Sequence, residues 1–340
     1  MNGHNMYNGS LWGIVLAAGE GKRISRFVRD IYGLDVPKQY VAFTGKRSML
    51  QHTLERVERL IPPERILTVV SPNHACEIEK QLSGRPPENL IFQPYNRETA
   101  PGVLLPLIHI FKRDPEARIA IFPSDHFILE EDLFMGHIEL GDRVVRRFPE
   151  KTVLFGIQPD GPETEYGWIE PAEPITDQFE TGVRRVGRFL EKPDQETATQ
   201  FFGKGYLWNS FVILAKAKTL IKMAIEHLPK IWMHFNKMLE AIGTSREYLT
   251  VEGEYRHMDR ATLSRGIFEK NPPNISVIEM KDLFWSDFGS GERVIETLDR
   301  IGRLPLNISE RIHLRSRAYE VAGGRAVAIL EGLRKKHHIS

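Results

Sequence analysis

The chain is almost without cysteine: Cys76 is the only one in 340 residues. That excludes an intrachain disulfide and a cysteine-rich metal site, and it fits a reducing compartment. Long apolar runs are missing too. None approaches the roughly 18 residues that a membrane span needs. The amino-terminal stretch MNGHNMYNGS has neither a basic region nor a long apolar core, so it does not read as a signal peptide. Charge of one sign is lacking, with a formal net charge of +1. Nothing therefore calls for nucleic acid or an acidic surface as partner. No internal repeat, no low-complexity tract and no Ser-His-Asp or Cys-His arrangement is evident. The expectation is a soluble cytoplasmic protein whose partners include neither nucleic acid nor membrane. Its length suits one large α/β domain, alone or with an appendage.

What is present is organised around Leu11 to Arg23, LWGIVLAAGEGKR. An apolar run short enough for a buried strand ends at Leu16. It breaks into Ala17, Ala18, Gly19, Glu20 and Gly21, and closes on Lys22 and Arg23. Backbone N–H groups approach phosphate oxygens where no Cβ intervenes, and cations supply the charge, so the loop suits a polyphosphate. A plain strand-to-helix turn is the bland alternative. The dinucleotide pattern G-x-G-x-x-G fails because position 24 is Ile24, and the P-loop pattern G-x-x-x-x-G-K-S/T fails from Gly19.

Short apolar runs recur at Ile66 to Val70, Leu90 to Gln93, Ala117 to Phe122, Thr152 to Ile157, Phe211 to Ala215 and Ile275 to Met280. Helical spacing or composition falls between them, at Ser48 to Ile61, His74 to Leu82, Ala100 to Arg113, Glu131 to Phe148, Lys216 to Ile242 with a break at Pro229, and Arg260 to Glu269. This alternation predicts an α/β fold: a Rossmann-like, doubly wound, mostly parallel sheet covered on both faces. From Arg303 onward basic residues outnumber acidic ones eight to three and apolar residues take helical spacing. We therefore divide the chain into a catalytic domain, residues 1–302, and a helical C-terminal appendage, residues 303–340.

Several residues stand where such sheets bind ligands, at the carboxyl ends of strands. Asp125, after Pro123 and Ser124, is placed to hold Mg²⁺, which takes one or two carboxylates plus substrate phosphates; capping the following helix is an equal alternative. His126 beside it reads as structural. Asp287, in the segment Trp285 to Ser290, is a candidate partner for Asp125. Lys38 follows the rigid Pro37 and either aims at a phosphate or is a solvated lysine on a turn. Glu191 and Lys192 precede Pro193 and either bind a polyol and a phosphate or form a solvated turn. Asn209 offers sugar hydroxyls a donor and an acceptor, or is simply a turn residue.

Eight dispersed segments, LAAGEGKR, PKQY, NRETAP, FPSDH, GIQPDGPETEYGWI, FLEKP, YLWNS and WSDFGS, stand in one order along Leu11 to Ser290. In this the chain resembles the sugar-1-phosphate nucleotidyltransferases, and among them the mannose-1-phosphate guanylyltransferases. The resemblance implies a GT-A-like nucleotidyltransferase fold. It implies a nucleotide site at Leu16, Ala17, Ala18, Gly19, Gly21, Arg23, Gln93, Thr99 and Ala100. It implies sugar-phosphate contacts at Gly167, Glu191, Lys192 and Asn209, and Mg²⁺ as cofactor on Asp125 and Asp287. Catalysis would rest on Arg23, Lys38, Asp125, Lys192 and Asp287, with GTP and mannose 1-phosphate as partners, GDP-mannose as product, and a homodimer as a possible assembly.

Three departures qualify the resemblance. Phe211 replaces the family's usual Gly after Asn-Ser, which puts the sugar in question and keeps open another sugar or base, such as a GDP-heptose product. The segment from Arg23 to Pro37 is slightly longer and lacks the usual Pro-Leu. Finally, the chain carries no cupin-type isomerase domain and no hexapeptide repeats, so phosphomannose isomerase activity is not expected. A nucleotide-sugar-binding regulatory subunit without catalysis is the rival from another class. Retention of all five charged residues argues against it.

Overall fold

The computed structural model describes residues 10–175 and 182–304. The appendage expected from residue 303 lies, beyond Leu304, outside the described residues. The described chain falls into two compact units. The larger holds residues 10–19 and 50–285, and the smaller holds 20–49 and 286–304.

The larger unit is built on nine strands: β1 (Leu11–Leu16), β2 (Ile66–Val70), β3 (Leu90–Phe92), β4 (Arg118–Pro123), β5 (Thr152–Ile157), β6 (Gly167–Pro174), β7 (Val183–Glu191), β8 (Leu207–Lys216) and β9 (Ile275–Met280). They form one sheet in the order β3-β2-β1-β4-β8-β5-β9-β7-β6, with β6 also paired to β8. The first four are mutually parallel, with Val15 opposite Thr68 on one side and Phe122 on the other. Their side chains alternate between two covered faces. Ile14 joins the core cluster with helix Thr99–Arg113, whereas a Cβ on Gly13 would meet Val57 and Ile61. Burial on both faces explains why these strands read as continuous apolar runs.

Beyond β4 the sheet departs from the expected mostly parallel arrangement. β8 is antiparallel to both β4 and β5, and β7 is antiparallel to β9 and β6. Because β6 returns to β8, the strands β8, β5, β9, β7 and β6 close a ring. The fold is a mixed α/β sheet: β3-β2-β1-β4 are parallel throughout, and beyond them β5 and β9 also pair in parallel. An apolar strand buried on both faces looks the same in sequence whichever way its neighbour runs, so composition could not foresee the reversal.

Helices Ala217–His227 and Pro229–Ala241 replace the single expected helix, split at Pro229 as foreseen. The expected helix from Arg260 to Glu269 is instead one α-turn, Leu263–Gly266, and one 3-10 turn, Phe268–Lys270. Among the described residues no helix is long and apolar enough to cross a membrane.

β8 is irregular where it matters. Asn209 pairs with Gly156 and Ile213 with Leu154, so four steps on β8 match two on β5. The surplus is held by Ser210, whose hydroxyl donates to the Phe155 carbonyl at 2.6 Å and accepts the Val212 N–H at 3.2 Å. Phe211 takes φ 58°, the left-handed region that glycine prefers. Its ring packs against the core, and its N–H donates to Asn209 Oδ1 at 3.1 Å. Phe211→Gly should therefore be more stable than Phe211→Ala by about 1 kcal/mol, because both lose the ring but only alanine keeps the left-handed strain. Denaturant unfolding of the two variants checks the sign.

The smaller unit packs Phe43 edge-on against Tyr32 and Phe288, each with ring centroids 5.1 Å apart. Val294 and Leu298 of helix Gly291–Arg300 are fully buried.

Candidate active site

The loop after β1 divides at the boundary of the two units. In the larger unit, Leu16 accepts hydrogen bonds from the Ser124 N–H at 3.2 Å and its hydroxyl at 2.7 Å, which ties the ends of β1 and β4 together. Ala17 donates to the Val69 carbonyl at 2.8 Å and is fully buried, with Ala18 beside it. At Gly19 an added Cβ would meet nothing within 4 Å, so the backbone there borders open space.

Asp125 follows β4, its side chain 29 % exposed, with His126 Nε2 at 3.9 Å from its Oδ1. The Trp285 indole donates to His126 Nδ1 at 3.2 Å, which leaves the neutral ring's proton on Nε2, facing the carboxylate. His126 is thus held between the Trp285 indole and the Asp125 carboxylate.

The segment expected beside a base is strongly braced. Gln93 is buried and donates to the Tyr95 carbonyl at 3.0 Å. Thr99 Oγ1 accepts the Leu263 N–H at 2.9 Å. Ala100 is fully buried, its N–H given to the Ala261 carbonyl at 3.0 Å. Arg97 donates to the Tyr255 and Arg256 carbonyls at the end of helix Glu247–His257.

The clearest convergence is Gly167, Glu191 and Asn209. Gly167 pairs with Glu191 across β6 and β7. A Cβ on Gly167 would lie 2.8 Å from Glu191 Oε2, 3.0 Å from Phe189 Cζ and 3.3 Å from Asn209 Cβ. The three residues therefore meet so closely that only glycine fits at 167. Burial pushes the Glu191 carboxyl above the usual carboxylate range, against the pull of the Ser264 hydroxyl, Lys192 and Arg265. A desolvated carboxylate beside a carboxamide is a strong site for sugar hydroxyls. Lys192 adjoins them at φ 52°, its Nζ 3.3 Å from Glu165 Oε2. Gly167→Ala should displace Glu191 and weaken sugar-phosphate binding by about 100-fold with little change for the nucleotide. Separate KM values for the two substrates check this.

In the smaller unit Lys38, Asp287 and Arg23 come together. Gly21 sits at φ 61°, and a Cβ there would come 3.0 Å from the Lys38 backbone nitrogen, so the glycine lets the loop lie against Pro37 and Lys38. Lys38 is buried, not a solvated turn lysine, and Nζ donates to the Asp287 carbonyl at 2.5 Å and the Phe288 carbonyl at 3.4 Å. Asp287 Oδ1 accepts from the Gly289 N–H at 2.9 Å and from Arg293 Nη1 at 3.0 Å, and its Oδ2 lies 3.7 Å from Arg23 Nη2. Arg23 is half-exposed. The sequence reading missed Arg293. Its one signal is its place in the first turn of a helix whose cap, Ser290, follows Asp287 by three residues.

Asp125 and Asp287 belong to different units, and among the described residues no cluster of three or more His, Cys, Asp or Glu side chains suits a metal. Each carboxylate taken singly is of the kind that Mg²⁺ accepts beside substrate phosphates.

Residues 12–302 match the Nucleotidyl transferase family. A mannose-1-phosphate guanylyltransferase of Escherichia coli is 27% identical over 296 residues, 85% of this chain and 60% of that protein. The alginate biosynthesis protein AlgA of Pseudomonas fluorescens is 29% identical over 77% of this chain and 50% of its own length. The chain thus spans about three fifths, or less, of these two relatives. A crystal structure described as mannose-1-phosphate geranyltransferase from Thermus thermophilus superimposes with a TM-score of 0.71 at 26% identity, covering 87% of this chain and 80% of that one. On the match over residues 12–302, the chain belongs to the nucleotidyl transferase family.

Proposed function

We propose that this protein transfers a nucleotidyl group from a nucleoside triphosphate to a sugar 1-phosphate with release of pyrophosphate, and that the substrates are GTP and mannose 1-phosphate. The observation that carries the reading is the close convergence of Gly167, Glu191 and Asn209, with Lys192 beside them. Family membership supplies the nucleotidyl transfer. The mannose-1-phosphate guanylyltransferases among its relatives, 27–29% identical, favour guanosine and mannose.

A phosphate oxygen of the sugar 1-phosphate attacks the α-phosphorus and pyrophosphate leaves in line. The nucleophile is already an anion near neutral pH, so no general base is needed and none is assigned. The task is to bring anions together in register. Glu191 and Asn209 hold the sugar hydroxyls, and Lys192 neutralises the sugar phosphate. Gly19 lets the backbone approach the triphosphate. Arg23 holds its β- and γ-phosphates, and Lys38 neutralises charge near the reacting phosphates. Asp125 and Asp287 would each offer a carboxylate to Mg²⁺, which would supply charge neutralisation at the phosphates.

Two results are expected. With GTP labelled at the α-phosphate, label should enter the nucleotide sugar, and γ-label should leave in pyrophosphate. Release of γ-label as inorganic phosphate would contradict the reaction. Arg23→Ala should raise the triphosphate KM by about tenfold and the sugar-phosphate KM by less than about twofold. The reverse pattern would remove Arg23 from the nucleotide.

A further inference from the structure

The corner at Glu191 and Lys192 is held in part by residues that no motif in the sequence contains. Lys192 occupies the left-handed region at φ 52°, where a side chain is strained unless its surroundings fix it. Its N–H donates to the Tyr166 carbonyl at 3.1 Å. Glu191 donates its own N–H to Glu269 Oε1 at 2.7 Å, a charge-assisted bond across 78 residues of sequence.

Glu269 lies on the 3-10 turn Phe268–Lys270, and Phe268 anchors that turn. Phe268 is fully buried, and its ring meets Phe189 edge-on with centroids 5.7 Å apart. Phe268 thus grips β7 two residues before the corner, and Glu269 grips the corner itself. Ser264, buried on the short helix Leu263–Gly266, gives the Glu191 carboxylate a hydroxyl. Residues 263–270 therefore touch both the backbone and the side chain of Glu191.

We propose that Glu269 is a positioning residue for the sugar phosphate: by fixing the Glu191 N–H it sets the Glu191 carboxylate over Gly167 and holds the strained Lys192 corner. Ser264 assists by fixing the carboxylate itself. This rests on the reading of the site as a sugar-phosphate site. Neither residue touches the substrate in this assignment. Glutamine at 269 keeps an acceptor oxygen in place, whereas alanine removes it.

The test uses the full-length protein with two readouts. Hydrogen exchange of the peptide spanning residues 187–195 should speed up about tenfold in Glu269→Ala and stay near wild type in Glu269→Gln. In steady-state kinetics Glu269→Ala should raise the mannose 1-phosphate KM by about tenfold, leave the GTP KM within about twofold, and be rescued in Glu269→Gln. Should the alanine variant not fold, Ser264→Ala should show the same selective rise at about threefold. Equal changes in both KM values, or faster exchange with unchanged sugar-phosphate KM, would overturn the assignment. A wild-type protein that makes no nucleotide sugar would overturn the functional reading instead. The exchange measurement would then decide by itself whether Glu269 holds the corner.

Discussion

Asp125→Asn is expected to lower kcat by about a thousandfold while the melting temperature stays within about 2 °C of wild type. The two halves of this result have separate causes. Asp125 stands at the end of β4 with a partly exposed side chain, outside the apolar core, so the amide leaves the packing intact. A carboxamide is nearly the same shape but is neutral, and it binds a hard divalent cation far more weakly than a carboxylate does. On the proposed metal role, what would be lost is charge neutralisation at the phosphates as the new bond forms. Activity measured against Mg²⁺ concentration checks it, because the variant should also need more metal. Full turnover at limiting Mg²⁺ would remove Asp125 from the metal.

Lys38→Met should behave differently, losing both stability and activity. Lys38 Nζ is buried and is a donor to the Asp287 and Phe288 carbonyls, and Phe288 itself sits at φ 48°. Methionine fills the space but takes the ammonium away from both acceptors, at an expected loss of about 1–3 kcal/mol. The turn that carries Asp287 would then relax, and kcat should fall by about 100-fold. Lys38→Arg should not restore activity, since a guanidinium is a broad planar fork in a space shaped for a point charge. Denaturant unfolding and kcat on the same preparations test both limbs. A stable variant that is merely inactive would make Lys38 a phosphate ligand with no hold on the Asp287 turn.

Local chemistry makes much of this legible in advance. The apolar runs at Leu11, Ile66 and Ala117 are strands of the parallel half because burial on both faces leaves no polar alternation to read. Gly21, Lys38 and Asp287 stand out from their neighbours in sequence, and they meet in the smaller unit. What is not legible depends on long-range pairing. The reversal of β8 is set by its partners β4 and β5. Helix Glu247–His257 escapes a sequence reading because its apolar residues make no stripe and Gly253 interrupts it. Helix Gln195–Gly203 has a usable signal, since Asp194 Oδ1 accepts the Thr197 N–H as a cap. Arg293, Ser264 and Glu269 carry no motif, and their meaning lies only in what they touch.

The measurement that most directly tests the central claim is pyrophosphate release from the purified protein with Mg²⁺. It should be made over a grid of the four nucleoside triphosphates against the 1-phosphates of mannose, glucose, N-acetylglucosamine and heptose. The account predicts kcat/KM for GTP with mannose 1-phosphate about 100-fold above every other pair. A maximum elsewhere in the grid would keep the reaction and replace the substrates. No release anywhere, with nucleotide sugar still bound, would contradict the account and leave a binding protein in place of a transferase.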